Sequence, residues 1–268
     1  MSWWGKLAGG AFGFMLGGPL GALLGVGLGH NLDRGLDGLK QDEELAPGER
    51  ERVQTAFFTA TFSVMGSVAK ADGRVSQKEI ALATAVMDQM DLDAEMRRTA
   101  IRLFNQGKKD DFPLDDVLDQ FRLESHRRTT LIQMFIEIQL QAAYADDRLN
   151  AVEERLLLHI CRRLGVPEFL FRRLERMIQA ERHYTDQGRR EKVGQEPHPS
   201  LDDAYAILNI SPDVSDAEVK KAYRRLLSQH HPDKLVAKGL PQEMMKMAAQ
   251  KTHEIRQAYE KVKETRGF

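Results

Sequence analysis

From Lys220 to Lys234 the sequence reads Lys-Lys-Ala-Tyr-Arg-Arg-Leu-Leu-Ser-Gln-His-His-Pro-Asp-Lys. Val219, Tyr223, Leu226 and Leu227 recur at helical spacing and predict a buried stripe. Lys220, Lys221, Arg224 and Arg225 fall on the remaining faces as a basic, solvent-facing stripe. Ser215 followed three residues later by Glu218 is a capping box that opens this helix. Pro232 disfavours helical geometry at His231 and so ends it. A loop through Gly239 leads to Pro241, a good first-turn residue, and to another helix with Met244, Ala248, Ile255, Ala258, Tyr259 and Val262 inward. The two helices are expected to pair as an antiparallel hairpin with His231-Pro232-Asp233 at its tip. Upstream, Leu201–Leu208 reads as a short helix and Asn209–Asp213 as a turn.

Moving toward the N-terminus, residues 185–200 hold two prolines, two glycines and a single large aliphatic residue, and predict a mobile linker. Residues 49–184 carry helical periodicity throughout. Phe57, Phe58, Thr61, Phe62, Met65 and Val68 form one such series, and Leu131, Met134, Phe135, Ile138 and Ala142 another. With no useful strand-like alternation, the pattern predicts an all-α bundle of about six or seven helices. Two segments of it echo each other. Ala69-Lys70-Ala71-Asp72-Gly73-Arg74-Val75-Ser76-Gln77-Lys78-Glu79 aligns with Ala143-Tyr144-Ala145-Asp146-Asp147-Arg148-Leu149-Asn150-Ala151-Val152-Glu153. Ser76 with Glu79, and Asn150 with Glu153, read as capping boxes, which suffices to explain the repeat.

The first 34 residues differ from everything after them. Between Lys6 and Asp33 there is no Asp, Glu, Lys or Arg, and Leu7–Leu28 contains thirteen apolar residues, eight glycines and Pro19. A helix of that length spans about 30 Å, the thickness of a bilayer core. Trp3 and Trp4 precede it, where indoles favour the membrane interface. The start is weakly basic and lacks a good small-residue cleavage site, which favours a retained transmembrane anchor over residues 1–34 against a signal peptide. Gly5, Gly9, Gly13, Gly17, Gly21, Gly25 and Gly29 recur every fourth residue. On a helix they form a bare seam fit for a second helix, hence a homodimer, against the plainer reading of a generic small-residue surface. Lys6 on one side and Arg34 and Lys40 on the other leave the orientation open. Residues 35–48 read as a juxtamembrane linker.

Whole-chain averages conceal these features. The 268 residues carry 39 Lys+Arg against 40 Asp+Glu, a net charge of −1, with 42% hydrophobic residues. The mean hydropathy is −0.46. These values exclude a polytopic membrane protein and wholesale disorder. Residues 201–268 are near neutral, twelve Lys+Arg against ten Asp+Glu, so nucleic acid is not an expected partner. The single cysteine, Cys161, excludes an intramolecular disulfide and a thiolate zinc site, and suits a reducing compartment. No Walker loop, H-E-x-x-H or G-x-S-x-G is present, so the chain reads as a non-enzyme without a cofactor.

Two resemblances attach to these residues. His231-Pro232-Asp233, the Lys-Lys-Ala-Tyr-Arg-Arg-Leu run before it, the Ile-Arg-Gln-Ala-Tyr-Glu run after it, and Tyr205 and Leu208 upstream resemble the J domain of DnaJ-type co-chaperones. The resemblance implies a partner, the DnaK-type seventy-kilodalton heat-shock chaperone. Lys220, Lys221, Tyr223, Arg224 and Arg225 would dock on it, and His231, Pro232 and Asp233 would trigger its ATP hydrolysis. The paired acidic turns resemble the TerB family, in which equivalent positions are linked to divalent metal. Carried over, the weak metal candidates are Asp72, Glu79, Asp146, Asp147 and Glu153, and the alternative function is a membrane-stress sensor or scaffold. Anchor, TerB-like bundle and terminal J domain together resemble the membrane-anchored DnaJ-like proteins of Gram-negative bacteria. That arrangement implies a single-pass inner-membrane protein, N-terminus periplasmic and bulk cytoplasmic.

Overall fold

The computed structural model describes residues 17–25, 47–73, 77–90, 92–126, 128–144, 149–190, 200–238, 240–241 and 244–268. Every regular element among them is a helix, as the periodicity predicts. The chain divides into two compact units, one of residues 1–166 with 238–244, the other of 167–237 with 245–268.

In the first unit the helices are α1 (Gly18–Gly25), α2 (Pro47–Ala69), α3 (Gln77–Gln89), α4 (Ala94–Gly107), α5 (Leu114–Glu124), α6 (Thr129–Ala143) and α7 (Ala151–Arg163). Helix α2 is the axis of the unit and packs against α1, α4, α5, α6 and α7. Every residue from Val53 to Met65 is buried, so α2 lacks the single apolar stripe its periodicity implies. The Thr55 and Ser63 hydroxyls bond back to their own helix and α6 bonds onto its backbone, whereas the Thr59 and Thr61 hydroxyls are buried with no hydrogen-bond partner among the described residues. Ser63 Oγ donates to Thr59 O at 2.7 Å, and Gln139 Nε2 of α6 donates to Thr61 O at 3.1 Å. Phe57, Phe121 and Phe135 join α2, α5 and α6 in one aromatic cluster, with the Phe121 and Phe135 centroids 4.8 Å apart. Gly66 and Gly107 sit where α2 and α4 cross most tightly. A Cβ at Gly107 would lie 1.7 Å from Ser63 O, and one at Gly66 2.0 Å from Phe104 O. Cys161 is buried on α7, and burial pushes its thiol up to about 12.

The transmembrane helix expected within residues 1–34 is not seen in its described part. Gly17 and Gly18 both adopt φ +56°, a left-handed geometry that interrupts a helix, so α1 begins at Gly18. Pro19 then falls in the first turn, where its missing N–H costs nothing. Leu20 and Leu24 are buried within the first unit, and Gln120 of α5 holds the entry. Its Oε1 accepts from Leu20 N at 2.8 Å and its Nε2 donates to Gly17 O at 3.0 Å. Among the described residues no helix is long and apolar enough to cross a membrane. Gly5, Gly9, Gly13 and Gly29 lie outside the described residues, as does the segment 35–46.

The second unit comprises α8 (Glu168–Arg190), α9 (Leu201–Leu208), α10 (Asp216–His230), α11 (Pro232–Ala237) and α12 (Met245–Arg266). The first residues of the linker expected over 185–200 are helical, because α8 continues to Arg190, and residues 191–199 lie outside the described residues. Poverty in apolar residues is no bar to a helix, since Arg, Glu and Gln are good helix formers. The second unit also takes in α8 from Pro167 onward. Its core gathers Ala204, Tyr205, Ile207, Leu208, Val219, Leu226, Ile255, Ala258 and Val262. Nearly all the inward residues predicted for α10 and α12 are in it or packed on it. Ala248 and Met244 differ: both are buried outside that cluster, and Met244 lies in the segment that counts with the first unit.

Candidate docking site

The site is built on α10. Ser215 caps the helix as predicted. Glu218 N donates to Ser215 Oγ at 3.3 Å, and Ser215 N donates back to Glu218 Oε2 at 2.9 Å. Those bonds from Ser215 hold the Glu218 carboxyl below its ordinary range. Val219, Ala222, Leu226 and His230 face the core at spacings of three and four. This fixes the rotation of the helix and turns Lys220, Lys221, Arg224 and Arg225 to solvent.

The four cations are not equivalent. The Lys220 ammonium lies 4.6 Å from the Phe268 ring centroid, and Arg224 Nε donates to Lys220 O at 3.3 Å. Tyr223 is half-buried and stacks on Tyr259 of α12, centroids 4.0 Å apart and planes 11° from parallel. That stack ties α10 to α12 across the hairpin.

His231 caps the C-terminus of α10 with φ −63° and ψ 124°, the extended geometry that a following proline demands. The chain does not then enter a loop, as the sequence led us to expect. Pro232 and Asp233 start the six-residue helix α11, and Leu235 N donates to His231 O at 3.0 Å. Proline is favoured in a first helical turn, so the same residue that ends α10 starts α11. His231 and Asp233 side chains stand out at 47% and 81% exposure, with Nδ1 and Oδ2 3.9 Å apart. Lys234 Nζ reaches back to Ser228 Oγ at 2.6 Å and straps the corner to α10. The result is a rigid, exposed corner that offers a ring and a carboxylate beside a basic helix face.

Two contributors escaped the sequence reading. Arg266, near the end of α12, donates to Tyr205 OH at 2.8 Å, Val214 O at 2.6 Å, Pro212 O at 2.6 Å and Asp216 Oδ1 at 3.1 Å. It ties the α9–α10 turn to the far end of α12 and makes the hairpin antiparallel, as expected. The bonds to Tyr205 and Asp216 raise its pKa above the ordinary value. Nothing in its sequence neighbourhood marks it beyond a cation in a last helical turn. The other is the buried ion pair of Glu181 on α8 with Lys251 on α12.

Of the residues proposed for metal, only the side chains of Asp72 and Glu153 are described. Glu153 is buried and its carboxylate completes the Asn150 capping box, accepting from Asn150 N at 3.0 Å. Asp72 is exposed at the end of α2. Asp146, Asp147, Ser76 and the Glu79 side chain lie outside the described residues. Among the described residues no group of three or more His, Cys, Asp or Glu is placed to hold a metal ion.

A capped basic helix, an extended His-Pro-Asp corner and an antiparallel partner helix define a J-domain protein. A family model described as "DnaJ domain" matches residues 203–266, one described as "Tellurite resistance protein TerB" matches 58–176, and one described as "Co-chaperone DjlA transmembrane domain" matches 1–42. The chain is 46% identical to "Co-chaperone protein DjlA" of Coxiella burnetii over all of both chains. It is 44% identical to the protein so named in Shewanella oneidensis and 40% to that in Escherichia coli K12, again over all of both chains. The chain therefore belongs to the DjlA family of co-chaperones, built from a transmembrane domain, a TerB domain and a J domain. No solved structure matches it.

Proposed function

We propose that the chain is a co-chaperone that stimulates the ATPase of a DnaK-type chaperone at the cytoplasmic face of the inner membrane. The supporting observation is the adjacency of an exposed basic helix face and a rigid, exposed His-Pro-Asp corner. Lys221, Arg224 and Arg225 supply a field that steers an acidic surface onto α10, with Lys220 and the edge of Tyr223 at its border. His231 and Asp233 then stand at the tip to engage the ATPase, while Pro232 fixes their geometry. The corner holds no nucleophile–base pair of its own, so the chemistry belongs to the partner.

The test is single-turnover ATP hydrolysis by DnaK with the full chain in liposomes. Changing His231→Gln is expected to remove the stimulation while leaving helical content and melting unchanged, since the ring is outside the core. Undiminished stimulation would sink the reading.

The membrane reading rests on the matched transmembrane domain and on the uncharged segment between Lys6 and Asp33. We infer a single-pass anchor with the N-terminus periplasmic, because DnaK is cytoplasmic. We also infer that two chains pair through the glycine series. Single cysteines placed in turn at Gly5, Gly9 and Gly13, which precede the break at Gly17 and Gly18, and at their neighbours, are expected to crosslink in membranes with a period of about four residues. Uniform or absent crosslinking contradicts the pairing.

A further inference from the structure

The family matches leave residues 177–202 unassigned, since the TerB match stops at 176 and the J-domain match starts at 203. Most of that gap is the second half of α8. Leu174, Met177, Ile178, Ala180 and Glu181 of α8 are buried. The helix packs along α9, and Ala180 enters the core cluster with Ala204, Ile207 and Ile255. One turn of α8 carries a charge into this interface. The Glu181 carboxylate meets the Lys251 ammonium of α12, with side-chain exposures of only 9% and 6%. Two ions are costly to withdraw from water, and a buried pair persists only where both partners are held in register. Such a pair marks a fixed interface, not a passing contact.

We propose that α8 is an intrinsic helix of the J module, which comprises residues 167–237 and 245–268. Its interface is the outer side of α9 and the first half of α12, keyed by Glu181 to Lys251. Packing, not the connection across 191–199, then holds α8 to the J domain. Lys251 lies on the half of α12 nearer in sequence to α11, so the key also braces the helix behind the His-Pro-Asp corner. This assembly does not depend on what the module docks on, and its test requires no partner.

A specific protease site inserted between residues 194 and 195 of the full chain in detergent allows the connection to be cut. The C-terminal piece is expected to stay with the rest through gel filtration at low micromolar concentration. Lys251→Met alone removes the cation that meets the buried Glu181 carboxylate and is expected to weaken retention about a hundredfold or more. The double change Glu181→Leu with Lys251→Met replaces the pair by apolar groups and is expected to restore it. The double variant also separates a lost interface from a misfolded piece, because it carries the same Lys251 change. Separation of the unmodified pieces overturns the proposal. So does a Lys251→Met piece retained as tightly as the original.

Discussion

Replacing Gly107 with alanine is expected to melt the first unit at a temperature about 6–12 °C lower, or to prevent its folding. The added carbon would lie 1.7 Å from Ser63 O and 2.7 Å from Ser63 C. Ordinary overpacking costs about 1–3 kcal/mol, because side chains shift to absorb the extra volume. Here the obstacle is the backbone of a helix buried on every side, so α2 and α4 must separate along their whole crossing. The cost therefore lies at or beyond the upper end of that range, about 3 kcal/mol or more. That is a large part of the total stability of about 5–15 kcal/mol expected of a domain, and it gives the stated shift at about 2–4 °C per kcal/mol. Gly73→Ala is the control. Gly73 has φ +90° but nothing within 4 Å of the added carbon, so backbone strain is the only cost. Thermal melts followed by helical circular dichroism would compare the two, and a Gly107→Ala melt within about a degree of the original would refute the crossing argument.

The largest functional change is expected from reversing Lys221→Glu, Arg224→Glu and Arg225→Glu together. All three side chains are exposed on α10 and none enters the core. Lys220 is left alone because its ammonium sits over Phe268, and Tyr223 because it stacks on Tyr259. Electrostatic steering changes association rates by about 10–1,000-fold. Reversing the field on the docking face is expected to slow DnaK association by about a hundredfold at low salt. The sign of the salt effect reverses too. Added salt slows the original, whose field is attractive, and speeds the variant, whose field repels. Stopped-flow association across ionic strength measures both effects. A rate within twofold of the original at low salt would rule out these cations as the steering surface.

What the sequence could reveal depended on whether the determining interactions were local. The Ser215 capping box, the Val219–Leu226 stripe and the break at His231 all lie within a few residues of each other, and each appears as read. The corner itself was half legible. Pro232 announces the end of α10, but its equal fitness to begin α11 depends on the residues from Asp233 onward. Gly107 ends α4, yet its larger role is the approach of a helix some forty residues earlier. Burial on all sides of α2 was hidden because Thr55, Thr59, Thr61 and Ser63 look like a solvent face in the sequence, and only the surrounding helices, distant in sequence, cover them. Arg266 and the Glu181–Lys251 pair were invisible for the same reason: their partners lie 50 to 70 residues away. The end of α8 was misjudged because apolar content reports on burial and says little about helicity.

The concealed thiol of Cys161 has a practical side. It is the chain's only cysteine, enclosed within the first unit and kept protonated at ordinary pH. While folded, the natural chain therefore behaves toward maleimides as though it had no cysteine at all. A probe, spin label or crosslinker placed on the glycine seam, on α10 or beside the 191–199 connection would have no competing site, and the native residue need not be removed. Its labelling then becomes a signal of its own, since Cys161 reacts only in molecules whose bundle has opened.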